Sequence, residues 1–392
     1  MPTNIIDTAR GTANILASRI VIDMSNEIPI LKPREYPLTV LTKRLNTKVA
    51  NNYRYDWMED SLMATWVACP AGAAAGAAIV SVAAGQGLLV AIDDLLKVAA
   101  TGEILRVISI NVDAITVTRG YGTTVTAIIA VAAAILVIGN AMMQGSANPS
   151  EKYNQLTTAF NYTQIFKTAF SVTNTLEAIK LYGPKELARL QKKKAIEHAQ
   201  SIEYALMFGE RKLDVAGAQP VSTTGGVLQS IAGSANVGTL SQAAVWAAPD
   251  PTMFAKRAIN AFMEKIFTYG SSKKTWLCSP SMITFITDIA EMKLEIIQGD
   301  ADKTFGLDIS MLRSPHGTLS IVQHPLLVQG YAGTSFILDM EELAYRPLPG
   351  RDTKLMTNIQ DNDEDGRRDQ YITEAGLELK QIAKHGMYSL IT

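Results

Sequence analysis

Between residues 184 and 212 the chain reads PKELARLQKKKAIEHAQSIEYALMFGERK, with no Gly before Gly209 and no Pro after Pro184. Leu187, Leu190, Ala195, Ala199, Ile202 and Leu206 recur at steps of three, four and five residues, while Lys192, Lys193, Lys194, Glu197 and Glu210 take the other sides. Such a pattern buries one stripe of a helix and wets the rest. The spacing predicts one continuous helix over 184–211, opened by Pro184 at a first position where a missing N–H costs nothing. At 1.5 Å per residue that is a rod of roughly 40 Å. Its stripe drifts off strict heptads and is rich in Ala, so a helix lying across a sheet is expected rather than a self-paired coiled coil.

Other periods run along the rest of the chain. Residues 1–30 mix polarity without a stripe and read as an arm lying on a neighbour. From Leu31 to Cys69 the chain reads as extended, with Pro33 and Pro37 early and Tyr53, Tyr55 and Trp57 alternating with Arg54, Asp56 and Met58. Ile108, Ile110 and Val112, then Ile115 and Val117, alternate with polar residues around a short turn, which predicts a hairpin. The Ala-rich stretch CPAGAAAGAAIVSVAAG is open to helix, loop or strand, but Gly72, Gly76, Gly85 and Gly87 oppose a stable helix. A helical stretch is expected near 171–182, and a loop over VAGAQPVSTTGGVLQSIAGSANVG. Asp250-Pro251 and Ser279-Pro280 are N-cap and first-turn pairs. The first opens a helix with Phe254, Ala258, Phe262 and Ile266 on one face and Gly270 as its stop. Strands are expected at KTWLC, GTLSIVQHPLL and TSFILDMEELAYRPL, and extended segments on both sides of DNDEDGRRDQ.

Composition sharpens this organisation. A chain of 392 residues exceeds one compact core. Only seven charged residues fall between Ala68 and Ala141, which marks that block as a β module inserted between flanking segments. With 36 basic and 37 acidic residues the chain is not a dedicated nucleic-acid binder. The longest apolar run, AIIAVAAAILVIG, is shorter than the roughly 20 residues of a membrane helix, and the first residues lack the pattern of a signal peptide, so a cytosolic chain without membrane contact is expected. Cys69 and Cys278 read as reduced, small hydrophobes.

Candidate chemistry is sparse. His198, His316, His324 and His385 stand singly and read as solvated or core-edge residues, and no pair has metal-ligand spacing. RGYGTTV carries two glycines of a dinucleotide fingerprint but has Val125 where a small residue is needed, so it reads as a turn. In DNDEDGRRDQYI, Asp361, Asp363, Asp365 and Gly366 match the first half of a calcium loop, yet Ile372 stands where the bidentate Glu belongs. The expectation is a charge-paired surface turn, with Arg367 and Arg368 beside the aspartates, used across a subunit boundary. No catalytic, cofactor-binding or metal-binding residue is assigned. The ribbon of Tyr53, Arg54, Tyr55, Trp57, Glu59 and Asp60 is the second candidate for contact between subunits, since an aromatic face is costly to leave in water. Lys192, Lys193 and Lys194 are candidates for nonspecific phosphate contact, against the plainer reading of a wet helix side.

Taken in order, RYDWMEDSL, the hairpin ILRVISINVDAITVTRGYGTTV, GNAMMQGSANP, NYTQIFKTAFSVTNTLEAI and the long helix resemble the major capsid proteins of tailed bacteriophages with the Hong Kong 97 type fold, in the branch carrying a β-domain inserted in the E-loop. The resemblance implies an α+β fold. Its parts would be an N-terminal arm at 1–30, an E-loop at 31–70 and 141–165, an inserted all-β domain at 71–140, a P-domain at 166–216 and 346–392 with its spine helix at 184–211, and an A-domain at 217–345. It further implies a non-enzymatic subunit that assembles with itself, as hexamers and pentamers, into an icosahedral shell in the host cytoplasm. The shell would enclose double-stranded DNA held nonspecifically, with portal, scaffolding and decoration proteins as further partners. Residues 1–30 are too short and too irregular for a coiled-coil scaffolding segment, so a separate scaffolding protein, or none, is expected. The alternatives are an encapsulin-type shell of the same fold and, further off, a cytosolic enzyme whose site is assembled from distant residues. A large shell filled with DNA, a small one filled with cargo enzyme, or turnover of a metabolite would separate the three.

Overall fold

The computed structural model describes residues 36–149, 151–181, 183–290, 296–297 and 309–391. The expected arm at 1–30 and Pro33 lie outside the described residues. The chain divides into two compact units, Met1–Trp57 with Phe160–Thr392, and Met58–Ala159.

In the larger unit the expected long helix runs Glu186–Phe208, with Lys185 as N-cap and Gly209 as C-cap. Pro184 therefore precedes the helix instead of opening it. Of the sequence stripe, Ile202 and Leu206 are fully buried and the residues nearer the start are half-buried. Polar His198 and Glu203 are buried beside them. The helix lies on a sheet whose central strand, Gly366–Leu379, pairs with Gln164–Thr173 along one edge and with Leu343–Pro347 and Lys354–Met356 along the other. The stretch expected to be helical near 171–182 is instead the end of strand Gln164–Thr173 and a short helix, Asn174–Ala178, capped by the Thr173 hydroxyl.

A second, seven-stranded sheet carries strand Lys273–Cys278 between Thr318–Gln323, parallel to it, and Thr334–Leu338, antiparallel. Period-two alternation feeds two cores. Trp276, Cys278, Ile321 and Ile337 join the cluster under helices Pro251–Ile266 and Pro280–Ala290. Leu277, Val322, Phe336 and Leu338 face the other way, into a cluster with Ile202, Leu206 and Met207 of the long helix. Both expected helix starts are present, because their signals are local: Asp250 accepts from Met253 N at 2.9 Å and Ser279 from Met282 N at 3.1 Å. The buried face of Pro251–Ile266 is rotated from the expected one, with Ala255, Ile259 and Met263 joining Phe262 and Ile266, and Phe254 exposed. The stretch expected as loop at 215–238 contains strand Val221–Thr223 and helix Val227–Ala232.

One expectation fails clearly. Within the segment read as extended, Pro37–Leu45 is a helix. Pro37 sits at its start, Leu38 and Leu41 are buried, and the free N–H groups of Leu38 and Thr39 donate to the Glu203 carboxylate at 2.9 and 2.7 Å. An anion on the first turn of a helix satisfies orphan donors and opposes the positive end of its dipole. That anion is 165 residues away in sequence from Leu38, so no local signal announces it.

The smaller unit holds a six-stranded sheet in the order Trp66–Cys69, Ala133–Asn140, Asp94–Val98, Ile104–Asn111, Ala114–Thr118, Ile79–Ser81. A bond from Ala83 N to Ala68 O at 2.9 Å brings its ends together, toward a barrel. The Ala-rich stretch is strand and turn, with Gly72, Gly76 and Gly85 at positive φ. The hairpin is present with Ile115 and Val117 buried as expected, but a bulge between Val107 and Ser109 shifts the first strand. Leu105 and Val107 are therefore the buried residues, while Ile108 is exposed and Val112 sits on the turn at φ 54°. Behind the RGYGTTV turn, Arg119 forms a two-pronged pair with buried Glu103, Nε to Oε1 at 2.8 Å and a second nitrogen to Oε2 at 2.7 Å. Burial pushes the Glu103 carboxyl up, and Arg119 with the Ala127 and Gly120 N–H groups more than offsets it, leaving the group below its ordinary range.

Candidate assembly surfaces

The division between the units falls within a two-stranded ribbon of Arg54–Glu59 and Thr157–Tyr162. The aromatic face foreseen there is partly used within the chain itself. Tyr55 is buried and donates its hydroxyl to Leu377 O at 2.9 Å, and burial raises its pKa far above the ordinary value. Trp57 is half-buried and stacks on Tyr55 with centroids 6.2 Å apart. Tyr53 is exposed and stacks on Tyr162. Arg54 pairs with Asp56 at 3.0 Å and lies over the Phe160 ring, whose centroid is also 4.2 Å from the Arg211 guanidinium. Glu59 is half-buried, and Asp60 accepts from Ser61 N. No local signal in the sequence announces Phe160 and Arg211, since Phe160 reaches Arg54 through the pairing of two distant strands and Arg211 reaches Phe160 from the segment after the long helix.

The acidic turn precedes strand Gly366–Leu379, and Ile372 lies well inside that strand, opposite Lys354 and Lys167. No liganding carboxylate can occupy that position. Arg368 pairs with Glu364 at 2.8 Å, Arg367 with buried Asp369 at 3.1 Å, and Asp365 accepts from neutral Asn174. The arginines thus neutralise Glu364 and Asp369 rather than the three aspartates the sequence suggested. Asp361 and Asp363 are exposed and have no ion-pair partner among the described residues.

On the long helix, Lys193 and Lys194 both pair with Glu197, at 3.8 and 2.6 Å, and Lys192 is exposed without an ion pair among the described residues. Three of the four histidines overturn the reading of solvated or core-edge residues. His198 is held between Thr168 and Thr373, at 2.9 and 2.8 Å, and burial lowers its pKa. His324 bonds Glu203 at 2.8 Å, and His385 is fully buried against Asp339 N and Lys380 O. Only His316 is exposed. The partners come from separate strands and turns, so a single-residue reading of the sequence could not find them.

At the far end of Gly366–Leu379 lies a cationic cluster the sequence did not reveal. The Glu378 side chain is 0% exposed and is met by Arg346 Nε, by Lys380 at 3.2 Å and by Lys48 at 3.8 Å. One carboxylate thus faces three cations.

Comparison with known proteins gives this arrangement its context. A match to the SU10 major capsid protein family runs over residues 3–392, almost the whole chain. The chain belongs to the SU10 major capsid protein family. It is a phage major capsid protein with an α+β fold, and its place is the virion capsid. The capsid protein is 24% identical over 329 residues to the major capsid protein of Pseudomonas phage PaMx41, covering 81% of this chain and 76% of that one. Among solved structures it is similar to the capsid of a native GTA particle, at 11% identity and TM-score 0.49, over 99% of this chain and 100% of that one. It is similar also to a chain of Mycobacterium phage Bobi, at 10% identity and TM-score 0.49, over 98% and 99%. As a self-assembling shell protein, the capsid protein has surfaces whose meaning is contact with copies of itself.

Proposed function

We propose that the protein is the shell subunit of a tailed double-stranded DNA bacteriophage, assembling as hexamers and pentamers into an icosahedral capsid around the genome. The observation that carries this is the family match over residues 3–392, and the long helix braced across an antiparallel sheet supports it. In this reading residues 1–30 are the arm, the ribbon of Arg54–Glu59 and Thr157–Tyr162 belongs to the E-loop, and the six-stranded sheet between Trp66 and Asn140 is the inserted domain. Residues 166–216 and 346–392 form the P-domain and 217–345 the A-domain. The role is structural, without a reaction. Lys192 is the best placed of the three lysines to meet phosphate, since Glu197 already holds the other two. Assembly takes place in the host cytoplasm, with portal, scaffolding and decoration proteins as further partners. The family match favours this over an encapsulin-type shell.

The test is electron microscopy of the full chain expressed in bacteria, with nucleic acid in particles from infected cells measured by absorbance. Closed shells that fill with DNA during infection are expected. Small shells loaded with a cargo enzyme, or no shells under any assembly condition, would overturn the reading.

A further inference from the structure

Strand Gly366–Leu379 is 14 residues long, so its ends are roughly 45 Å apart. The two ends carry opposite, uncompensated charge. Before its start, Asp361 and Asp363 are exposed and unpaired among the described residues, because Arg367 and Arg368 are engaged by Asp369 and Glu364. At its far end, Glu378 offsets only one of Lys48, Arg346 and Lys380, leaving two positive charges. The Lys48 and Lys380 side chains are 41% and 30% exposed, so that excess reaches solvent. Arg346 is fixed more deeply, with its guanidinium bonded to Val49 O at 3.1 Å.

Unpaired negative charge before one end of the strand and excess positive charge at the other, too far apart to meet within a chain, are complementary between chains. We propose that Asp361 and Asp363 of one copy dock on the Lys48–Lys380 patch around Glu378 of a second copy. The contact is head-to-tail, using different patches on the two partners, and such contacts propagate into rings and lattices. Charge complementarity of this kind sets register and excludes wrong approaches more than it adds affinity. A single exposed pair contributes little, but here two pairs recur at every subunit contact. The inference rests on the capsid reading and specifies which surfaces meet.

Two variants of the full chain test it. Asp361→Asn with Asp363→Asn alters only exposed, unpaired carboxylates, so the unassembled subunit should melt as the parent does. Shell yield at low salt should fall about tenfold, and added salt should weaken parent assembly in the same direction. In the second variant, Asp363→Cys with Lys380→Cys, oxidation of assembled particles should give a ladder of covalent oligomers on denaturing gels, which neither single substitution gives. The native cysteines are both buried. Normal yield from the Asn variant, or assembled Cys variant without a ladder, would overturn the pairing while leaving the capsid reading intact. A parent chain that forms no shells would instead defeat the capsid reading.

Discussion

At the scale of single residues, the buried polar groups of the larger unit act as fasteners between segments far apart in sequence. Glu203 accepts from two backbone N–H groups and a hydroxyl of Pro37–Leu45 and from His324 Nε2. Because His324 Nδ1 accepts from Leu326 N, the proton of a neutral ring must sit on Nε2, facing Glu203. Glu203→Ala leaves four buried donors without an acceptor, so it should cost about 3–5 kcal/mol in denaturant unfolding of the unassembled subunit. A loss under about 1 kcal/mol would show that water replaces the carboxylate at little cost. His385 makes the fold sensitive to acid. Burial lowers its pKa from 6.5 to about 4, with Lys274 acting in the same direction and Lys380 O, Asp339 and Glu342 opposing. Well above pH 6.5 neither folded nor unfolded chain holds the proton, so the group adds no pH dependence. As pH falls from 6.5 toward 4 the unfolded chain takes it up first, and stability should drop by as much as about 3 kcal/mol. His198 is shifted in the same sense. Unfolding free energies at pH 7 and 5.5, above the ordinary carboxylate range in which groups lowered by ion pairing such as Asp369 begin to cost stability, should show the first part of this fall. His385→Asn should reduce it, and an unchanged slope in that variant would assign the effect elsewhere.

Elements were legible where their signals are local, and illegible where a distant group completes them. The helices at Pro251 and Pro280 carry their caps next door, whereas Pro37–Leu45 depends on Glu203 and its sequence pattern reads as extended. In the hairpin, one bulge between Val107 and Ser109 turned a correct strand assignment into a wrong face. The ribbon shows the same limit. Alternation placed Tyr53, Tyr55 and Trp57 on one side, but could not tell that Tyr55 is locked into the subunit by Leu377 O while Trp57 remains half-buried. The two should therefore respond differently to truncation. Tyr55→Ala removes a buried ring and its hydrogen bond and should destabilise the subunit by about 3 kcal/mol or more. Trp57→Ala should leave the subunit's melting close to the parent's and lower shell yield instead, because an aromatic surface of this kind gains most by burial against a neighbour. Normal shells at normal yield from Trp57→Ala would remove the ribbon from the assembly contacts.

For the whole molecule, the low-charge block between Ala68 and Ala141 lies inside a wider compact unit, which runs from Met58 to Ala159. Its core draws every residue from between Val67 and Val137, and neither core cluster of the larger unit takes any residue from that interval. The way in and the way out are neighbours: Trp66 pairs with Leu136, and Val137 N donates to Thr65 O at 2.8 Å. A chain that leaves and returns at one point can lose what lies between without stretching what remains, because a short loop closes at little entropic cost. Replacing Trp66–Val137 with a short Gly/Ser linker should therefore leave a cooperatively unfolding protein whose circular dichroism keeps the signal of the helices at Glu186–Phe208 and Pro251–Ile266. The same deletion removes the buried Glu103–Arg119 pair together with all of its hydrogen-bond partners, so no orphaned charge is left behind. Among the ion pairs of the described residues only Lys152 would lose its partner, Asp94, and it can turn to solvent. Loss of the cooperative transition would show that the larger unit depends on the inserted sheet to fold, in spite of their separate cores.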